Sequence, residues 1–180
     1  RPGAAERDER EPARIMSPLD GHDPERAQHL GVHDVYDVRG IELPDGAVSV
    51  RHLDSELTRC KRLNTPLALI LCAVDGLSRV QANLGRVETE AILRGLVLSM
   101  REGFHESDFI GSLGNGEFLL VLDGLSPFAA RAKASRLMQI AAGSERHRVS
   151  VLAAEALSPE DGTSADELLA AADRRIFELR

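Results

Sequence analysis

The sequence predicts an α/β (α+β) domain in which a central mixed, mainly antiparallel sheet is flanked by helices. Three observations carry that prediction. Phe109-Ile110-Gly111-Ser112-Leu113 and Glu117-Phe118-Leu119-Leu120-Val121-Leu122 flank a Gly114-Asn115-Gly116 tip, and Asn-Gly tolerates the positive φ angles of a tight hairpin turn. Leu67-Ala68-Leu69-Ile70-Leu71-Cys72-Ala73-Val74 is apolar without a break yet too short to span a membrane, the mark of a strand covered on both faces. The remaining patterns give the order helix, strand, one or two helices, hairpin, helix, strand, helix. Helix-bearing crossovers around a hairpin require helices packed on a sheet.

Taken in order, residues 1–35 differ from the rest. Arg1-Pro2-Gly3 leads into a charged run from Glu6 to Glu11, and Pro12, Pro18 and Pro24 interrupt any long helix. This stretch is expected to be a linker or the tail of a preceding domain, with residues 36–180 as the folded unit, and the missing initiator methionine suggests a fragment of a longer protein. Val50, Leu53, Leu57 and Cys60 recur at helical spacing until Pro66 ends the pattern. The apolar strand that follows closes on Asp75, whose carboxylate should emerge at the strand terminus, where ligands bind in open α/β sheets. From Val87 to Phe104, Ile92, Leu93, Leu96, Val97 and Met100 form the wide stripe of an amphipathic helix closed by Gly103. After the hairpin, Ser126 and Pro127 open a helix that Gly143 ends. Arg148 to Glu155 reads as a strand. The last helix begins with the capping box Ser164-x-x-Glu167 and places Leu168, Leu169, Ala172, Ile176 and Leu179 on one face.

Composition narrows the function classes. A chain of 180 residues, 43% hydrophobic, suits one domain with a substantial core. A net charge of −7 and a pI near 5.4 argue against nucleic acid or an anionic membrane as partner, since bulk electrostatics would repel both. No apolar run approaches the ~18 residues of a membrane span, and no signal-peptide core opens the chain, so a soluble, cytoplasmic protein is expected. Cys60 and Cys72 lack metal-like spacing and are expected to be free, reduced thiols.

The hairpin carries a family resemblance as well. Leu113-Gly114-Asn115-Gly116-Glu117-Phe118, with Asp108 upstream, resembles the signature Arg-x-Gly-Gly-(Asp/Glu)-Glu-Phe of GGDEF domains, the diguanylate cyclase family. Gly114, Glu117 and Phe118 match, whereas Ser112 stands at the arginine, Asn115 at the second glycine and Gly116 at the first acidic position. Asp37 to Asp45 resembles a worn version of the segment that opens these domains, and Ala172-Asp173 followed by Phe177 resembles their closing Ala-Asp and aromatic. The resemblance therefore runs from Asp37 to Arg180. It implies the nucleotidyl cyclase-like, palm-like fold, with the family's final short strand beyond Arg180.

The same resemblance implies which chemistry to look for. Diguanylate cyclases hold two divalent ions between carboxylates, because the attacking hydroxyl must be activated and the triphosphate charge neutralised. Hard ions of this kind need charged oxygen ligands. Matched residue by residue, the family's first strand-end Asp is Ala73, its second is Asp75, and the first acidic position of the hairpin is Gly116, which leaves Glu117. The phosphate-contacting Lys falls at Ser78. The guanine-reading Asn and Asp fall at Gln81 and Glu90, each one methylene longer, which moves their functional groups by about 1 Å. A degenerate domain with no catalytic residue, no metal site and no cofactor is thus expected. Asp75, Gln81, Glu90 and Glu117 are its nucleotide-binding candidates. Plainer readings stand beside them: Asp75 as the cap of the next turn, Glu117 as a solvated hairpin residue, and Gln81 and Glu90 as helix surface.

Many GGDEF domains also bind cyclic di-GMP through an Arg-x-x-Asp motif ahead of the hairpin. Here the motif reads His105-Glu106-Ser107-Asp108, and Arg136 matches a secondary arginine on the next helix. Histidine is a weaker and only partly charged substitute for arginine. Arg59, Lys61 and Arg62 form either a contact patch or a solvated helix face. The expected function is a regulatory, protein-interaction module of cyclic di-GMP signalling with a protein partner. The alternative is a cyclic di-GMP receptor through His105, Asp108 and Arg136, and an enzyme working through Asp75 and Glu117 is a third reading. Homodimerisation through upstream sequence is a further implication of the resemblance.

Overall fold

The computed structural model describes residues 35–37, 40–140 and 149–180. The expected linker up to residue 34, the helix stop at Gly143 and the strand start at Arg148 lie outside the described residues.

A short antiparallel ribbon, β1 (Val35–Asp37) with β2 (Glu42–Pro44), precedes the main body. Its link is closed by the Gly40 amide donating to Asp37 Oδ1 at 2.6 Å. α1 (Gly46–Leu63) starts at Asp45, whose side chain accepts from Val48 N, and stops at Asn64 in the left-handed conformation, φ 54°. β3 (Leu67–Asp75) follows, then α2 (Leu77–Gly103), β4 (Phe109–Gly114) and β5 (Glu117–Asp123). α3 (Pro127–Ile140), β6 (Ser150–Ser158) and α4 (Ala165–Leu179) complete the described residues. α2 is two arms joined at Gly85, whose φ of 82° and ψ of 179° lie outside helical space, so "one or two helices" resolves as one kinked element. The last helix carries both halves of its capping box, while Leu179, expected on its buried face, is exposed in the final turn.

The main sheet has the order β4-β5-β3-β6, and every neighbouring pair is antiparallel. The mixed component of the expectation is absent for a topological reason. Each helical crossover does return the chain parallel to the strand it left, but it steps over one strand, and that intervening strand runs the other way. The helices cover the two faces in pairs. Leu67, Leu69, Leu71 and Ala73 pack with Leu53, Leu57, Leu168, Ala172 and Ile176 of α1 and α4. Ala68, Ile70, Cys72 and Val74 pack with Leu93, Leu96, Val97, Met100, Ala134 and Leu137 of α2 and α3. β3 is buried from both sides because it lies between β5 and β6 and under both helix layers, as its unbroken apolar run requires. Cys60 and Cys72 are both buried free thiols. Among the described residues no helix is long and apolar enough to cross a membrane.

Candidate functional site

The hairpin tip is a two-residue turn, Asn115-Gly116, with φ of 51° and 81°, the positive pair that a type I′ turn needs. A bulge at Leu113 shifts the register of β4 just before it, and Ser112 Oγ accepts from Gly114 N across that bulge at 3.1 Å. The tip is tied to the end of β3 by Val74 N donating to Gly116 O at 3.0 Å. This register sets Glu117 directly across from Ala73.

At this strand end the sequence candidates sit in unlike surroundings. Asp75 is exposed, and the cap of α2 is Gly76 with no side-chain bond, so Asp75 does not cap that helix. Glu117 is half-buried, which raises its carboxyl pKa above the ordinary glutamate range; the nearby Asp173 carboxylate pushes it further up and Arg180 pulls against both. Gln81 is exposed, and Glu90 pairs with Arg86 at 3.1 Å across one turn of the second arm of α2. Gly116 is closed off by its own surroundings. A Cβ there would stand 2.7 Å from Leu77 Cδ2, 3.4 Å from Val74 Cβ and 3.8 Å from Leu93 Cδ2, on a backbone whose φ disfavours any side chain. Among the described residues no three His, Cys, Asp or Glu side chains are grouped to hold a metal ion. These side chains do not fit the two-ion cage of a cyclase, because Ala73 and Gly116 offer no side-chain oxygen and only the Glu117 carboxylate is left at the matched positions.

The other candidate group gathers at a cleft of about 530 Å³ between β2, the C-terminal turn of α2 and the start of β4. Leu43, Pro44, Phe104 and Ile110 provide apolar lining, and Arg101, His105, Glu106 and Asp108 provide polar groups. Asp108 closes the α2–β4 turn: its Oδ2 accepts from His105 N at 3.0 Å, and its own N donates to His105 O at 2.9 Å. Thus His105 and Asp108 do come together. Arg136 is exposed on α3 and is not among the residues lining the cleft. Lys133, one helical turn earlier, reaches Asp108 Oδ2 at 2.8 Å and lies 4.6 Å from the centre of the Phe104 ring. Arg101 stands at the rim with its Nη2 donating to Glu42 O at 3.0 Å. Neither residue was picked out by sequence reasoning. The signal for Lys133 was its position three residues before Arg136 on the same helix, and Arg101 had none, because β2 meets α2 only in the folded chain.

Comparison with known proteins adds the family. Residues 42–180 match the family described as "Diguanylate cyclase, GGDEF domain". The diguanylate cyclase DgcP of Pseudomonas aeruginosa is 24% identical over 143 residues, which is 77% of this chain and 21% of that protein, so the chain spans about a fifth of its curated relative. The GGDEF domain of DgcB from Caulobacter crescentus, solved in complex with c-di-GMP, is similar with a TM-score of 0.72 at 11% identity, covering 82% of this chain and 90% of that one. The diguanylate cyclase SiaD from Pseudomonas aeruginosa, solved in complex with its activator SiaC, gives 0.64 at 20% identity, covering 79% of this chain and 56% of that one. At these identities the structural likeness is one of fold.

Proposed function

The chain belongs to the GGDEF domain family, and from that premise we propose that it serves bacterial cyclic di-GMP signalling as a non-catalytic regulatory and protein-interaction module. The observation that carries this reading is the pair Ala73 and Gly116. Two of the three positions where the family's ion-binding carboxylates fall lack a side-chain oxygen, and a Cβ at Gly116 would meet Leu77 Cδ2 at 2.7 Å. A pair of divalent ions is held by carboxylates together with the substrate phosphates, and at the matched positions Glu117 is the one carboxylate that remains. Guanine reading is weakened too, since Gln81 and Glu90 are each one methylene longer than the family's Asn and Asp. A protein partner is consistent with SiaD, a relative of the same fold that was solved with a protein activator.

The decisive test is incubation of the chain with GTP and Mg²⁺ followed by chromatographic analysis of the products. No cyclic di-GMP is expected, and its formation would overturn the reading. The double change Ala73→Asp/Gly116→Asp is expected to leave the chain inactive, because the second aspartate would sit on a backbone at φ +81°, which disfavours any side chain, and Leu77 Cδ2 would have to move aside.

A second reading, a cyclic di-GMP receptor, is favoured by one observation: His105 and Asp108 border a cleft large enough for part of a dinucleotide, in a fold shared with a domain solved with that ligand. In this reading Arg101 supplies the cation at the cleft, with Arg136 on the neighbouring helix surface.

A further inference from the structure

We infer that Lys133 sets the ligand selectivity of the cleft beside the α2–β4 turn, by occupying the Asp108 carboxylate that a guanine edge would need. A carboxylate is acceptor-only and recognises paired N–H donors with both oxygens together. Guanine presents two such donors side by side. In this chain Asp108 Oδ2 already accepts from Lys133 Nζ at 2.8 Å and from His105 N at 3.0 Å.

The pair differs from ordinary surface ion pairs. The side chains of Lys133 and Asp108 are 24% and 15% exposed. By contrast Arg59–Glu56, Arg86–Glu90, Arg131–Glu155 and Arg175–Asp161 each include a side chain at least 36% exposed. Exposed pairs contribute little because water and salt screen them. Lys133 is sheltered as well by the ring of Phe104, itself buried in the core, over which its ammonium lies. The cation is therefore held in place from below by an aromatic face and from the side by a single carboxylate. A ligand that wants Oδ2 of Asp108 must displace the Lys133 ammonium from it. With Oδ2 of Asp108 engaged internally, the two oxygens are not free together for a guanine edge, and the cleft is left to recognise a ligand through Arg101 and His105, which suits a phosphate group on an apolar or aromatic body.

This rests on the receptor reading, in that cyclic di-GMP is taken as the probe, and the experiment separates the two. The chain and its variants Lys133→Met, Lys133→Arg and Lys133→Met/Asp108→Asn are titrated with cyclic di-GMP in a calorimeter. Methionine keeps the stem on Phe104 and removes the charge, and Lys133→Gln with a melting curve for each protein covers loss of folding. Lys133→Met is expected to bind about tenfold tighter or more, since one charge-assisted bond no longer competes. Lys133→Arg should match the unmodified chain, and the double variant should lose the gain, which a merely structural role of Lys133 would not produce. Equal, weaker or undetectable binding by Lys133→Met and Lys133→Gln overturns the inference. The affinity of the unmodified chain judges the receptor reading alone, so silence there with binding by Lys133→Met would reject that reading and keep this one.

Discussion

Glu117 shows at the scale of one residue how a family position changes its chemistry when its neighbours change. It survives in the hairpin signature, but across from it stands Ala73 and beside it Asp173, so its carboxyl lacks a cation strong enough to offset burial. Its pKa in the fold is therefore raised above that of the unfolded chain. As pH falls from neutral through the raised value, the folded state takes up the proton first, and stability rises across the window down to the ordinary glutamate value. As pH climbs back through the raised value that contribution is lost. Asp123 works in the opposite sense. The hydrogen bond from Arg59 holds its carboxyl below the usual range, so its contribution is present at neutral pH and lost as pH falls through the depressed value. Glu117→Gln is expected to raise the melting temperature at neutral pH and to reduce the gain on mild acidification. Melting curves for both proteins between about pH 4 and pH 8 check this, and an unchanged difference across that range would refute the burial argument. Of the residues near Asp108, His105 was legible because a motif spacing joins the two. Lys133 was not, since nothing local relates it to a residue in a turn on the far side of the hairpin.

At the scale of elements, the sequence signals that proved sound are those with a local cause. The Asn115-Gly116 turn, the Ser164–Glu167 capping box and the Ser126 hydroxyl accepting from Ala129 N at 3.2 Å all lie within a few residues of what they stabilise. The start of α1 is of the same kind. Asp45 accepts from Val48 N at 2.9 Å and so satisfies one of the orphan donors of that helix. Asp45→Ala is expected to cost about 1 kcal/mol, read as a lower urea midpoint with an unchanged slope; no shift would mean that water satisfies the donor equally well. The kink of α2 is legible only in part. Gly85 marks the place, but a lone glycine within a helical pattern does not say whether the helix bends or merely loses stability.

At the scale of the molecule, one sheet serves two cores. Leu53 of α1 and Leu137 of α3 are fully buried on opposite faces of the same strands. Removing either side chain should weaken both layers together, because both helix pairs pack on the same strands. Leu53→Ala and Leu137→Ala are each expected to cost about 2–5 kcal/mol while unfolding stays a single transition by calorimetry and circular dichroism. Two separated transitions in either variant would show that the layers unfold independently.

The hairpin, the helix starts and the doubly buried strand are legible along the chain, because hydrophobic period, caps and turn residues act over one or two turns, and the hairpin signature carries the family. Long-range packing alone makes the sheet antiparallel throughout, brings Leu77 against Gly116, and sets Lys133 rather than Arg136 on Asp108. Each of these depends on which strand lies beside which. Lys133 and Asp108 are 25 residues apart, and they meet because the hairpin folds back between them and α3 lies against the same face of the sheet as α2. A periodic pattern states which side of an element is apolar and is silent about what that side will touch.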